Sequence, residues 1–232
     1  MYSISKLLGS LLFPKQCPGC SRALMKWEKE ICQHCMQKLP LITNTKANET
    51  ILQQRLAGRV NLIQGYAMMR FYQGSLTQKL LHAIKYRGKS QLAISLGEMF
   101  GESIKNELTM SDESILVPVP LHPLKHQVRG YNQSEKIAEG LSKSLGIACE
   151  ARAMERVNFH VSQTKKGKES RWNQIKNDFL AKKEIVRQRD IILVDDVCTS
   201  GATIEACAQA LKEQEVKTIS LLTLAVAGEF YL

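Results

Sequence analysis

The apolar positions of this chain switch between two periods along most of its length. Tyr66-Ala-Met-Met-Arg-Phe-Tyr72 is a short, β-prone apolar run and predicts a strand. Leu76, Leu80, Leu81 and Ile84 then share one face of a helix, and Leu92, Leu96, Met99, Phe100 and Ile104 share a face of the next. Ile115-Leu-Val-Pro-Val119 predicts a second strand; Pro118 has no N–H for a ladder and marks its end or an irregular exit. Asn132 or Ser134 is placed to cap a helix that buries Ile137, Ala138, Leu141 and Leu145 and that Gly146 closes. Ile191-Ile-Leu-Val194 is apolar at every position, the pattern of a central parallel strand covered on both faces. A helix from Thr203 to about Lys212 and a last strand from Thr218 to Ala225 complete the series.

Strands and amphipathic helices in alternation predict an α/β fold with a doubly wound, mostly parallel sheet. In such sheets ligands sit at the carboxyl ends of the strands, which points to the loops after Val119 and Val194. The amino end reads differently. Ile4, Leu7, Leu8, Leu11 and Leu12 have helical spacing and predict a short amphipathic helix that Pro14 ends. Residues 15 to about 40 are short, polar and rich in cysteine, so a metal-binding segment is expected over residues 1–45 and the α/β domain over 60–232.

With 232 residues, the chain has room for one such domain and a small appendage. Its net charge of +10 changes the picture more, because it favours anionic ligands: phosphates, pyrophosphate or nucleic acid. No apolar run reaches the roughly 18–20 residues that cross a bilayer. The amino end has neither the basic start nor the small-residue cleavage site of an export signal. A cytoplasmic, reducing setting is therefore expected, in which paired cysteines are read as metal ligands before disulfides.

Cys17-Pro-Gly-Cys20 and Cys32-Gln-His-Cys35 are two Cys-x2-Cys knuckles separated by eleven residues. That spacing can wrap four thiolates around one tetrahedral structural zinc ion. A segment this small has too little apolar surface to fold unaided, so the metal would supply its folding energy. A closed four-cysteine site leaves no open position for catalysis, and His34, inside the second knuckle, is surplus to it.

The most informative stretch is Ile191-Ile-Leu-Val-Asp-Asp-Val-Cys-Thr-Ser-Gly-Ala-Thr203. Asp195 and Asp196 fall where the apolar strand is expected to end, a costly place for carboxylates without partners. Neighbours on an extended chain face opposite ways, so the two acids cannot play the same part. Ribose hydroxyls, directly or through a magnesium ion, are suitable partners. Thr199, Ser200, Gly201, Ala202 and Thr203 then turn the chain into a helix, where free N–H groups and the helix dipole make an anion site. Gly201 lets the backbone approach a phosphate closely.

Val194-Asp-Asp-Val-Cys-Thr-Ser-Gly-Ala-Thr203 resembles the motif with which type I phosphoribosyltransferases bind phosphoribosyl pyrophosphate (PRPP). The usual Thr-Thr-Gly is Thr199-Ser200-Gly201 here, and Cys198 stands where an aliphatic residue is common. Val117-Pro-Val-Pro-Leu-His122, Arg129-Gly-Tyr-Asn-Gln-Ser134, His82-Ala-Ile-Lys-Tyr-Arg-Gly88 and the cysteine knuckles are similar to the signature of the ComF/ComFC competence family. The likeness runs from Cys17 to about Ala225, with its blocks in order. It implies a phosphoribosyltransferase-like domain with Asp195, Asp196 and Arg171 at the reacting ribose and the Thr199–Thr203 loop on the 5-phosphate. Lys85, Arg87, Val119, Pro120, Leu121, His122 and Arg129 would lie on the pyrophosphate side. Residues 159–172, with Lys165, Lys166 and Lys168, correspond to a loop that closes over PRPP, and Arg171 and Asn173 look like an Arg-x-Asn element.

The resemblance further implies structural Zn2+, Mg2+ with PRPP, and single-stranded DNA and competence-machinery proteins as partners. The same lysines could track a nucleic-acid backbone, with Phe159, Trp172 or Tyr131 stacking on bases. Three readings stay open: a PRPP-binding protein that handles single-stranded DNA during uptake, an active transferase of nucleotide or base metabolism, and a PRPP-sensing module without turnover. No base-recognition element names an acceptor, and fold does not settle function.

Overall fold

The computed structural model describes residues 14–44, 50–157 and 178–228. Seven strands and eight helices are assigned within them. Five strands form one all-parallel sheet: β1 (Gly65–Phe71), β2 (Ser114–Pro118), β3 (Ala148–Cys149), β6 (Asp190–Cys198) and β7 (Thr218–Ala227), in the order β1-β7-β6-β2-β3. The remaining pair, β4 (Met154–Arg156) and β5 (Phe179–Ala181), is a separate antiparallel ribbon. The outer edge of β1 is not bare, because Leu41 bridges Met69 and the Arg70 N–H donates to the Pro40 carbonyl at 2.9 Å.

Ile191, Ile192, Leu193 and Val194 are all at most 2% exposed, as a central strand with both faces covered requires. Alternate residues enter opposite cores. Ile192 and Val194 join the core under α3 (Leu76–Tyr86), α4 (Ser90–Ile104) and α6 (Gln133–Leu145). Ile191 and Leu193 join the core under α2 (Ile51–Leu56), α7 (Lys183–Val186) and α8 (Ala202–Lys212). The result is a three-layer α/β arrangement. Burying each such side chain contributes about 1.5–3 kcal/mol.

Local chemistry sets the helix ends. Ser75 caps α3 by accepting from the Gln78 N–H, and Asn132 caps α6 by accepting from the Ser134 N–H. Gly146 ends α6 in the left-handed region at φ 74°, a conformation that costs glycine little. The short α1 (Gln33–Gln37) belongs to the second cysteine knuckle. Cys17, Ile31, Cys32, Cys35 and Leu39 pack into the same core as Met69 and Leu80, so the knuckles share apolar contacts with the sheet.

The expected strands and long helices are present with ends moved by one or two residues. The short strands β3, β4 and β5 and the helix α7 were not expected, and three further features differ from the sequence reading. The central strand runs on through both acids to Cys198. A helix, α2, sits at Ile51–Leu56, formed by a capping box between Thr50 and Gln53. Another, α5 (Pro123–Arg129), follows the second strand with Pro123 in its first turn and Gly130 at φ 76° after its last. The expected helix of residues 4–12 lies outside the described residues.

Helices α4 and α6 cross at Gly97 and Gly140, whose backbones meet with no side chain between them. A Cβ on Gly140 would collide with the Ile94 carbonyl and stand 2.7 Å from the Glu98 nitrogen. Because the obstacle is backbone, no rotamer change relieves it. Gly140→Ala should therefore lose about 1–3 kcal/mol, outweighing the gain of up to about 1 kcal/mol in helix propensity. A urea unfolding midpoint equal to or above that of the unaltered protein would contradict this close crossing.

Candidate functional site

The carboxyl ends of β2 and β6 converge, and the residues there hold two acids in unlike environments. Asp196, 5% exposed, points to the α3 side and forms an ion pair through Oδ2 with Lys85 Nζ from the last turn of α3. Asp195 takes different partners. Its Oδ1 accepts from Ser134 Oγ at 3.0 Å and from the Asp196 N–H at 2.9 Å. Burial, reinforced by the charge of Asp196, pushes the Asp195 carboxyl up to about 7, against the pull of those hydrogen bonds and Lys85. A buried acid beside a half-buried one, with Lys85 paired to Asp196 among the described residues, leaves an unbalanced charge that a cation, or a ligand offering hydroxyls, would relieve.

Beyond Cys198 the chain turns. Gly201 has φ 82° and stands just before α8, where the first-turn N–H groups of a helix lack carbonyl partners. Thr199 and Ser200 are exposed there. A Cβ on Gly201 would collide with Leu56 and stand 3.2 Å from Arg59 Nη2, so glycine is needed for space as well as for its backbone angle. The back of this turn is fastened by arginines. Arg55 Nη1 donates to the Thr199 carbonyl at 2.6 Å, and Arg59 Nη2 donates to the Ser200 carbonyl at 2.8 Å. With their carbonyls turned to the arginines, the peptides of the turn are held from behind.

The loop after β2 supplies the opposite wall. The Asn132 side-chain amide donates to the Val119 carbonyl at 3.0 Å, which ties the end of the second strand to the start of α6. Pro120 and Leu121 are half-buried and lead into α5. His122 caps that helix, its Nδ1 accepting from the Leu124 N–H at 3.2 Å. Arg129 lies 5.2 Å from the Tyr86 ring centroid, one residue along from Lys85. Arg87, the α3 C-cap residue, is exposed and lines a groove with Cys20, Lys79 and His82. Lys165, Lys166, Lys168 and Arg171 lie outside the described residues, as do Phe159, Trp172 and Asn173.

Sequence reasoning missed Arg55 and Arg59. Arg55 belongs to a six-residue helix too short to show apolar periodicity and Arg59 to the turn after it, and the only signal was the capping pair Thr50 and Gln53. The contact of Ser134 with Asp195 was equally hidden, since 61 residues separate them. Burial raises the Cys198 thiol to about 11, so it stays protonated near neutral pH and is a poor nucleophile.

The four knuckle cysteines converge as a second site. Their sulfurs all lie within 4.8 Å of one another, and Cys20 Sγ to Cys32 Sγ is 3.6 Å. Four sulfurs about 2.3 Å from a tetrahedral zinc would be spaced by roughly 3.8 Å, so the cluster has the right size for one ion. Backbone N–H groups already point at two of these sulfurs: Cys32 N–H at Cys17 Sγ and Cys35 N–H at Cys32 Sγ, both 3.4 Å. Such donors suit thiolate ligands. Gly19 is tight here as well, because a Cβ would stand 2.9 Å from Cys35 Sγ.

Comparison with known proteins agrees with this geometry. A family model described as phosphoribosyl transferase domain matches residues 97–229, more than half of the chain, and the chain belongs to that family. A DNA utilization protein, YhgH, of Salmonella typhi is 28% identical over 150 residues, covering 62% of this chain and 65% of that protein. Competence protein F of Haemophilus influenzae is 32% identical over 48% of this chain and 50% of its own length. Competence protein ComFC of Bacillus subtilis is 23% identical over 90% of this chain and 83% of its own. The chain thus matches just under two thirds of the Salmonella relative. These relatives are consistent with the ComF/ComFC resemblance carried by the motifs.

The cysteine cluster makes one prediction. Metal analysis of untagged protein should find about one zinc equivalent, and Cys32→Ser should lose both the metal and the knuckle's resistance to proteolysis. Metal-free protein with an equally resistant knuckle would contradict it.

Proposed function

We propose that this chain binds PRPP, with Mg2+, in the cleft between the β2 and β6 loops, as a ComF-type protein that handles single-stranded DNA during uptake. The observation that carries the first part is the acid pair at the end of β6 followed directly by the open turn at Gly201. An anionic 5-phosphate suits the N–H groups of the turn at Gly201 and the first turn of α8, and ribose hydroxyls suit the carboxylates of Asp195 and Asp196. Lys85 places positive charge on the side where a pyrophosphate would lie. Ser134 holds Asp195, and Arg55 and Arg59 hold the turn, so the ligand groups on both sides are fixed before binding. Magnesium would supply neutralisation of pyrophosphate oxygens, reached through the ligand and the same two acids. The DNA part is supported by the names of the relatives, by the net charge of +10 and by the motifs shared with the competence family.

Titration calorimetry with PRPP and magnesium should give binding by the unaltered protein and none by the Asp195→Ala/Asp196→Ala double variant. Equal binding by both would remove the site assignment, and pyrophosphate release that survives both changes would do the same for turnover. The raised Asp195 carboxyl adds a pH signature. The ligand needs it ionised, so affinity should climb by up to about tenfold per unit below its pKa near 7 and level off above it. Asp195→Asn should flatten that climb; an unchanged slope would assign it to the phosphates of PRPP instead.

A further inference from the structure

Two stretches of this chain contain no acid at all. From Thr50 to Gly97, and again from Ser114 to Ser134, there is no Asp or Glu, although the chain's 22 acids in 232 residues would place about six there by chance. The fold brings these stretches together outside the cleft. Arg129 of the second stretch lies over the Tyr86 ring of the first at 5.2 Å. The Tyr131 hydroxyl donates to the Ile84 carbonyl, clamping the chain just after Gly130 onto the end of α3. His82, one helical turn before Tyr86, packs its ring against Tyr86 at 4.8 Å.

The stack is open to solvent. Tyr86 is 62% exposed and Val128, next to Arg129, is 84% exposed, on a helix that buries none of its residues. Beside them a groove of about 470 Å3 runs between α3 and the first cysteine knuckle, lined by Cys20, Lys79, His82 and Arg87 among others. A flat ring, flanking cations and an adjacent cationic groove without acids match one ligand chemistry, an unpaired nucleobase on a phosphate backbone. An acidic peptide would use the cations and leave the ring idle. A duplex would hide the faces of its bases.

We infer that the outer face of α3, with Tyr86 as a base-stacking ring and His82, Lys79 and Arg129 around it, is a binding platform for single-stranded DNA. The platform rests on the DNA-handling part of the proposed function and is independent of PRPP binding. Lys85 turns inward to Asp196, whereas Tyr86 and Arg87 turn outward, so one helix end serves the cleft and the platform without sharing side chains.

The test is fluorescence anisotropy of labelled oligothymidylate with the full, metal-loaded chain and its Tyr86→Ala, Tyr86→Trp and Lys79→Glu variants. PRPP calorimetry and urea midpoints are run on each. Tyr86→Ala should weaken the single strand about tenfold, Tyr86→Trp should keep or tighten it, and Lys79→Glu should lower the slope of log affinity against log salt by about one. PRPP binding and stability should stay as in the unaltered protein. Binding of the oligonucleotide by the unaltered protein and equally by all three variants would overturn the platform and leave DNA handling in place. Equal affinity for duplex would also overturn it. No binding by the unaltered protein, even at low salt, would overturn DNA handling and the platform together. Loss of PRPP binding in every protein, including the unaltered one, with the expected oligonucleotide pattern would remove the PRPP reading while supporting the platform.

Discussion

A pair of carboxylates near the end of the central strand is the constraint around which the rest of this molecule is arranged. Removing even one unpaired charge from water costs several kcal/mol, so Asp195 and Asp196 can remain there only with compensation. Each draws it from a different element. Asp196 takes Lys85 from the end of α3, and Asp195 takes Ser134 from the start of α6. Those two helices must therefore end and begin at fixed points over the sheet. Their lengths, the Asn132 cap and the Gly97–Gly140 crossing that sets α6 against α4 all serve that placement. A buried ion pair such as Lys85–Asp196 is weak evidence for stability, since well-packed apolar residues often do as well. What it does provide is charge fixed in place at the mouth of the cleft, where a phosphorylated ligand would meet it.

The cysteine knuckles are tied to the same helix. Leu76, in the first turn of α3, blocks any Cβ at Gly19, so the first knuckle lies directly against the helix whose last turn holds Lys85. Cys17, Cys32 and Cys35 are buried in the core that contains Leu80 and Leu81. A metal that folds the knuckles would thereby cover one side of α3 and leave the other to the sheet. A closed site without an open coordination position would therefore bear on the cleft through packing alone, several side chains away.

Much of this was legible in the amino-acid sequence because it rests on long periodic segments. The unbroken apolar run at Ile191–Val194 identifies the central strand, and the 3.6-residue spacing of Leu76 to Ile84 identifies α3. The cysteine spacing identifies the cluster, and the Asp-Asp-x2-Thr-x-Gly-x-Thr text locates the acids and the turn. What stayed hidden was short or long-range. Helices α2 and α5 have six and seven residues, too few for a period to declare itself, and α5 buries none of its side chains. The strand was expected to stop at the acids because carboxylates are poor strand interiors, yet β7 continues beside them, pairing Thr223 with Asp195 and Val226 with Cys198. Ladder partners overrode local preference there. Contacts such as Arg55 with Thr199, across 144 residues, follow from topology that no local pattern encodes.

The division of labour at the end of α3 follows from helix geometry alone. Successive residues on a helix are rotated by about 100°, so Lys85 and Tyr86 cannot face the same way. With Ile84 and Leu81 fixed in the core, Lys85 is directed along the sheet to the acids and Tyr86 is left at the surface. Arg129 then finds a ring to lie over, and Tyr131 fastens its strand of chain to the Ile84 carbonyl. The motif His82-Ala-Ile-Lys-Tyr-Arg-Gly88 thus distributes its residues to three destinations: core, cleft and surface. Gly88, at φ 65°, turns the chain into α4 immediately afterwards, which leaves Arg87 exposed at the junction. A single helical turn can in this way present one charge to a buried acid and an aromatic surface to solvent, and the spacing of the motif requires both.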